Sequence, residues 1–128
     1  MNSRVMCLVI GTLPVFLNGC ATSSQRIDER ESYWRQVLAV EAPIGASRKD
    51  VLSMFERHQL QAGEGTYRTV SDDGVVTSNC RRPERAISTF EKGAVRGLFL
   101  NWDVEITVCL DEEGKVEGHY VGAWNAGV

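Results

Sequence analysis

Trp102-Asp103-Val104-Glu105-Ile106-Thr107-Val108-Cys109-Leu110, the turn Asp111-Glu112-Glu113-Gly114-Lys115, and Val116-Glu117-Gly118-His119-Tyr120-Val121-Gly122-Ala123-Trp124 form the stretch whose reading decides the fold. Before the turn, apolar residues at even positions alternate with Asp103, Glu105, Thr107 and Cys109. Period two sends alternate side chains to opposite faces of a strand, so the stretch reads as an antiparallel hairpin with one buried face. Pairing Leu110 with Lys115 would set each apolar row beside a polar one. Pairing Asp111 with Lys115 leaves Glu112-Glu113-Gly114 as a three-residue loop, with Gly114 free to take the left-handed conformation of a G1 bulge. Leu110 then faces Val116, Val108 faces Gly118, Ile106 faces Tyr120 and Trp102 faces Trp124. All the apolar residues share one side, and the pattern selects this register. It sends Glu105, Glu117 and His119 to the outer face.

Upstream the period changes. Ile27, Trp34, Val37 and Leu38 make a helical stripe between Ile27 and about Val40, with Asp28, Glu29 and Glu31 placed favourably for the dipole of a first turn. Glu31 and Arg35 are an i,i+4 ion pair. Pro43 and Gly45 end this helix. A second helix opens at Ser47, where Ser47-Arg48-Lys49-Asp50 reads as a capping box with Asp for Glu. Its apolar face is Val51, Leu52, Phe55 and His58, and it stops before Gly63-Glu64-Gly65. Thr66–Val70 and Val75–Cys80 are short candidate strands. Two helices ahead of an antiparallel sheet predict an α+β fold, both helices packed on one sheet face.

A chain of 128 residues accommodates one such core. With 43% hydrophobic and 24% charged residues it is not a disordered chain, and its net charge of −3 gives no basic excess for nucleic acid. Ahead of the domain, Met1-Asn2-Ser3-Arg4 leads into an uncharged, mostly apolar run from Val5 to Leu17. A helix of that run spans only ~20 Å against a ~30 Å hydrocarbon core, so residues 1–19 read as a secretory signal. Leu17-Asn18-Gly19-Cys20 resembles the bacterial lipobox, whose Cys becomes lipidated. The resemblance implies lipid on Cys20, a tether over 20–26 and a single periplasmic domain over 27–128. Ala21 stands where inner-membrane-retained lipoproteins have Asp, which implies an outer-membrane anchor facing the periplasm. In that oxidising compartment the remaining cysteines, Cys80 and Cys109, are expected to form a disulfide.

Gly45-Ala46-Ser47-Arg48-Lys49-Asp50-Val51, with Phe55 four residues on, is similar to the start of the second helix in the small outer-membrane lipoproteins of the SmpA/OmlA (BamE-like) family. Val108-Cys109-Leu110-Asp111-Glu112-Glu113-Gly114-Lys115-Val116 resembles the final hairpin of that family. The resemblance covers about half of the mature chain and implies an αα-βββ arrangement. Glu56-Arg57-His58 departs from the family's Gly-x-Pro at the end of the second helix, and 72–97 reads as an insertion.

Chemistry-bearing patterns are sparse. The chain has no Gly-x-Ser-x-Gly, no His-Glu-x-x-His and no phosphate loop, and no Cys-x-x-Cys spacing points to a metal. The expectation is a protein without catalytic activity, metal or small-molecule cofactor. Its distinctive feature is uneven charge. Residues 81–96 carry a net +3, and residues 103–117 a net −5. Arg81, Arg82 and Arg85, with Glu105, Glu117 and His119, are therefore the candidate partner contacts, whereas Arg30 and Arg57 are expected as exposed helix positions away from them. The expected role is a non-catalytic scaffold or adapter in envelope assembly or maintenance, with an envelope protein as partner. The alternative is an immunity or inhibitor lipoprotein that binds an envelope-targeting toxin or hydrolase.

Overall fold

A computed structural model describes residues 22–65, 69–70, 76–77 and 80–127. Residues 1–19, expected from the sequence to be a secretory signal, and Cys20 lie outside the described residues. Helix α1 spans Ser23–Glu41 and α2 spans Arg48–Arg57. Strands β1 (Gly63–Glu64), β4 (Ile87–Arg96), β5 (Asn101–Leu110) and β6 (Val116–Gly127) form an antiparallel sheet in the order β1-β4-β5-β6. β2 (Thr69–Val70) and β3 (Val76–Thr77) pair as a separate two-stranded ribbon. The helices pack against the four-stranded sheet, an α+β fold as the sequence predicts.

The second helix starts as the sequence reads. Ser47 Oγ accepts from Asp50 N and Asp50 Oδ2 accepts from Ser47 N, each at 3.2 Å, so two orphan donors are satisfied together. The first helix starts four residues earlier than its apolar stripe shows. Thr22 and Gln25 form a capping box at its head, and Asp28, Glu29 and Glu31 consequently lie beyond the first turn. A polar turn carries no apolar period, so its cap is the only local signal. The Glu31–Arg35 pair is present at 2.9 Å.

Trp34 and Leu38 from α1, Ala42 at its C-terminal cap, and Val51, Met54 and Phe55 from α2 cover Ile87, Val104, Ile106, Val108, Leu110, Val116 and Val121 of the sheet. Full burial of each large side chain contributes about 1.5–3 kcal/mol, which is what fixes the helices to this face. Arg30 is half-buried, not the exposed helix position expected of it. Its guanidinium grips the Glu91 carboxylate with two hydrogen bonds, one of 2.5 Å from Nε, and lies 4.2 Å from the Tyr33 ring centroid. Hydrogen bonding to Glu91 holds its pKa above the usual arginine value.

Two expectations are corrected by the sheet. First, 72–97 is not an insertion throughout, because Ile87–Arg96 is the strand between β1 and β5. Second, the hairpin register holds only at its turn. Asp111 N donates to Lys115 O at 2.8 Å, Gly114 has φ +75° and Leu110 pairs with Val116. Beyond that pair Glu117 is an extra residue, and Cys109 pairs with Gly118. Val108 therefore opposes His119, Ile106 opposes Val121, Thr107 opposes Tyr120 and Asp103 opposes Trp124. One bulged residue exchanges the two faces of β6.

Candidate partner-binding site

Cys80 and Cys109 are joined by a disulfide, with Cα atoms 5.4 Å apart. With Ala86 they form a small buried cluster apart from the main core. The bond ties the start of the arginine run to the end of β5. Pro83–Arg85 then makes one 3-10 turn, in which Pro at the first position fits because its missing N–H has no helical partner to lose. The result brings Arg81 and Arg82 over the β5–β6 turn.

There Arg81, Arg82, Asp111, Glu112, Glu113 and Glu117 line an open cleft of about 340 Å³. Arg82 is ion-paired to Glu112. Asp111 Oδ1 accepts from the backbone of Glu113 and Lys115, both at 2.9 Å, so this carboxylate holds the turn. Among the described residues Arg81, Glu113 and Glu117 make no ion pair, so they are charges of the cleft that the fold leaves unpaired. Arg85 belongs to an adjoining cleft of about 180 Å³, where Arg48, Glu64, Glu84 and Asp111 also contribute. Its Nη1 donates to Glu112 O at 2.6 Å. Arg82 and Arg85 are thus fastened to the acidic turn, rather than presented as a free basic run.

The other two candidates lie elsewhere. His119 is not on the outer face but on the helix side, half-buried, with Nε2 2.6 Å from the carbonyl oxygen of Ala42. A carbonyl only accepts, so Nε2 carries the proton and His119 clasps the end of α1 to β6. Glu105 does face outward, yet it is 1% exposed. Trp124 Nε1 donates to its Oε2 at 2.6 Å and Thr107 Oγ1 to its Oε1 at 3.2 Å, while Ser88 Oγ lies 2.9 Å from Thr107 Oγ1. A buried carboxylate satisfied in this way is a structural anchor for the outer face, not a contact residue. Burial, with the negative charges of Glu105 and Glu31 behind it, pushes the nearby Tyr120 hydroxyl above its usual pKa.

The structure therefore brings Arg81, Arg82 and Glu117 together, sets Arg85 alongside, and leaves Glu105 and His119 out. Asp111, Glu112 and Glu113 complete the cleft. Their signal was the acidic run within the turn, which reads first as turn chemistry. Among the described residues no three His, Cys, Asp or Glu side chains converge to hold a metal, and no helix is long and apolar enough to cross a membrane. Comparison with protein-family models, curated proteins and solved structures finds no match for this chain.

Proposed function

We propose that this chain is a lipid-anchored lipoprotein of the outer membrane, facing the periplasm and serving as a non-catalytic adapter that docks an envelope protein on the cleft between Arg81 and Glu117. The convergence of Arg81, Glu113 and Glu117 as unpaired charges on a rigid frame is the observation that carries the binding reading. A disulfide, an ion pair and the Arg85 bond hold that frame before any partner arrives, which lowers the ordering entropy of association. The anchor rests on Leu17–Cys20, and kinship with the SmpA/OmlA lipoproteins on the two segments that resemble them.

A photo-crosslinking residue at position 113 in intact cells should give a discrete adduct with one envelope protein. Arg81→Glu combined with Glu117→Lys should abolish that adduct with little change in stability, since neither charge is paired in the fold. Adducts that persist in the double variant, or that form only from Lys49 on α2, would place the docking surface elsewhere. Mass spectrometry of the mature N-terminus, expected to be an acylated Cys20, tests the anchor separately.

A further inference from the structure

The turn between β4 and β5 is the reverse of the one between β5 and β6. Where the latter is acidic, the former is Gly97-Leu98-Phe99-Leu100. Gly97 N donates to Leu100 O at 2.9 Å, and a Cβ on Gly97 would come within 2.7 Å of that oxygen, so the tight turn requires glycine. Its three other residues point away from the core. Leu98 is 94% exposed, Phe99 77% and Leu100 43%. Three consecutive large apolar side chains on a solvent-facing turn oppose the usual polar chemistry of turns and need an apolar environment to make sense.

Position identifies that environment. The turn lies beside the head of α1. Arg26 Nη2 donates to Arg96 O at 3.2 Å, and the Cβ position of Gly97 is 3.7 Å from Ser23 Oγ. Thr22, the cap of that helix, is two residues after Cys20. Just behind the tip along the strands come Trp102, half-buried, and Trp124, 37% exposed, with Arg26 and Arg96 exposed at the flank. Arg96 is level with Asn101 next to the tip, Trp102 with Val95 and Trp124 with Asp103. An apolar tip ringed by tryptophans and by arginines, whose long stems let the charged heads reach back to water, has the side-chain chemistry of a bilayer interface.

We infer that Leu98, Phe99 and Leu100 insert into a lipid leaflet as a second point of membrane attachment. That the leaflet is the one holding the Cys20 lipid rests on the anchor reading; insertion itself does not. Two attachments fix an orientation where a single one would not. β5, ten residues long, then carries the acidic turn about 30 Å away from the bilayer surface.

The test uses the full chain purified from membranes and reconstituted in phosphatidylcholine vesicles with brominated acyl chains, which quench nearby tryptophans. Part of the tryptophan emission should be quenched, that of Trp102 and Trp124, while Trp34, 2% exposed in the core, stays bright. Leu98→Ser, Phe99→Ser and Leu100→Ser together should abolish this quenching and leave thermal unfolding unchanged. Equal quenching in the parent and the triple variant, or none in either, overturns insertion. So does a parent dimer that the variant converts to a monomer without vesicle-dependent quenching, since the tip then meets a second copy. An N-terminal Cys without lipid refutes the anchor alone, because the quenching comparison is made within one background.

Discussion

Glu41 closes the contact between the two helices. Its carboxylate accepts from His58 Nε2 at 2.7 Å and from Arg57 Nη2 at 2.9 Å. The His58 bond first, and the Arg57 bond after it, hold its pKa below the usual carboxylate value. A carboxyl whose folded pKa is depressed stabilises fully above its unfolded pKa of about 4.3, and that contribution is lost as pH falls through the lowered value. Glu41→Gln should therefore lower stability at pH 7 by about 0.5–1 kcal/mol, the range of a partly exposed pair, and flatten the loss below pH 4.3 in urea unfolding. His58 was legible as a half-buried residue at the end of α2, and it packs edge-on to Trp34 with centroids 5.2 Å apart. His119 was not legible. Its placement depends on the parity of β6, and a side chain whose face is set by one distant bulge shows nothing local.

That bulge is the element-scale lesson. The rule that apolar residues share a face predicted the β5–β6 register, and the rule assumes a watery outer face. Here Asp103, Glu105, Thr107 and Cys109 are all no more than 7% exposed, so Tyr120 and Trp124 have an outer face to pack on and Val121 serves the core. Deleting Glu117 would restore simple alternation and drive Tyr120 and Trp124 against α1. The expected result is a loss of at least ~3 kcal/mol or failure to fold, read as an early urea midpoint with loss of near-ultraviolet dichroism. β4 escaped the sequence for a related reason. On its helix side Ile87 is followed by Thr89, bonded to Gln61 O at 2.6 Å, and by Glu91, bonded to Arg30, while Phe90 faces outward. A strand whose inward row is polar, satisfied from a loop at Thr89 and from a helix at Glu91, has no hydrophobic period to find. The caps, by contrast, involve residues three apart, and the one at Ser47 was readable at once.

Across the whole molecule the disulfide joins two parts that sequence treats separately. Cys80 and Cys109 are 29 residues apart and enclose all of β4. Cys80→Ser with Cys109→Ser should cost about 2–4 kcal/mol in denaturant unfolding, and non-reducing peptide mapping of the parent should find the pair joined. The bond was legible from cysteine parity, and so was the meeting of basic and acidic charge. Which of those charges the fold neutralises was not, because that depends on Arg82 and Arg85 reaching across 26 or more residues to the turn. A second bulge, in β4 between Glu91 and Val95, acts on a larger scale still. β1 pairs only with Ile87 and Ser88, so among the described residues Thr89 to Arg96 form a lateral rim of the sheet. A straight rim is a template on which a strand of another molecule can add, copy after copy. Between Glu91 and Val95 the backbone breaks step, with Gly93 at φ +60° and its N–H turned to Asp103 at 2.8 Å. That kink divides the rim into short pieces and leaves no straight run for a strand of another molecule to pair along.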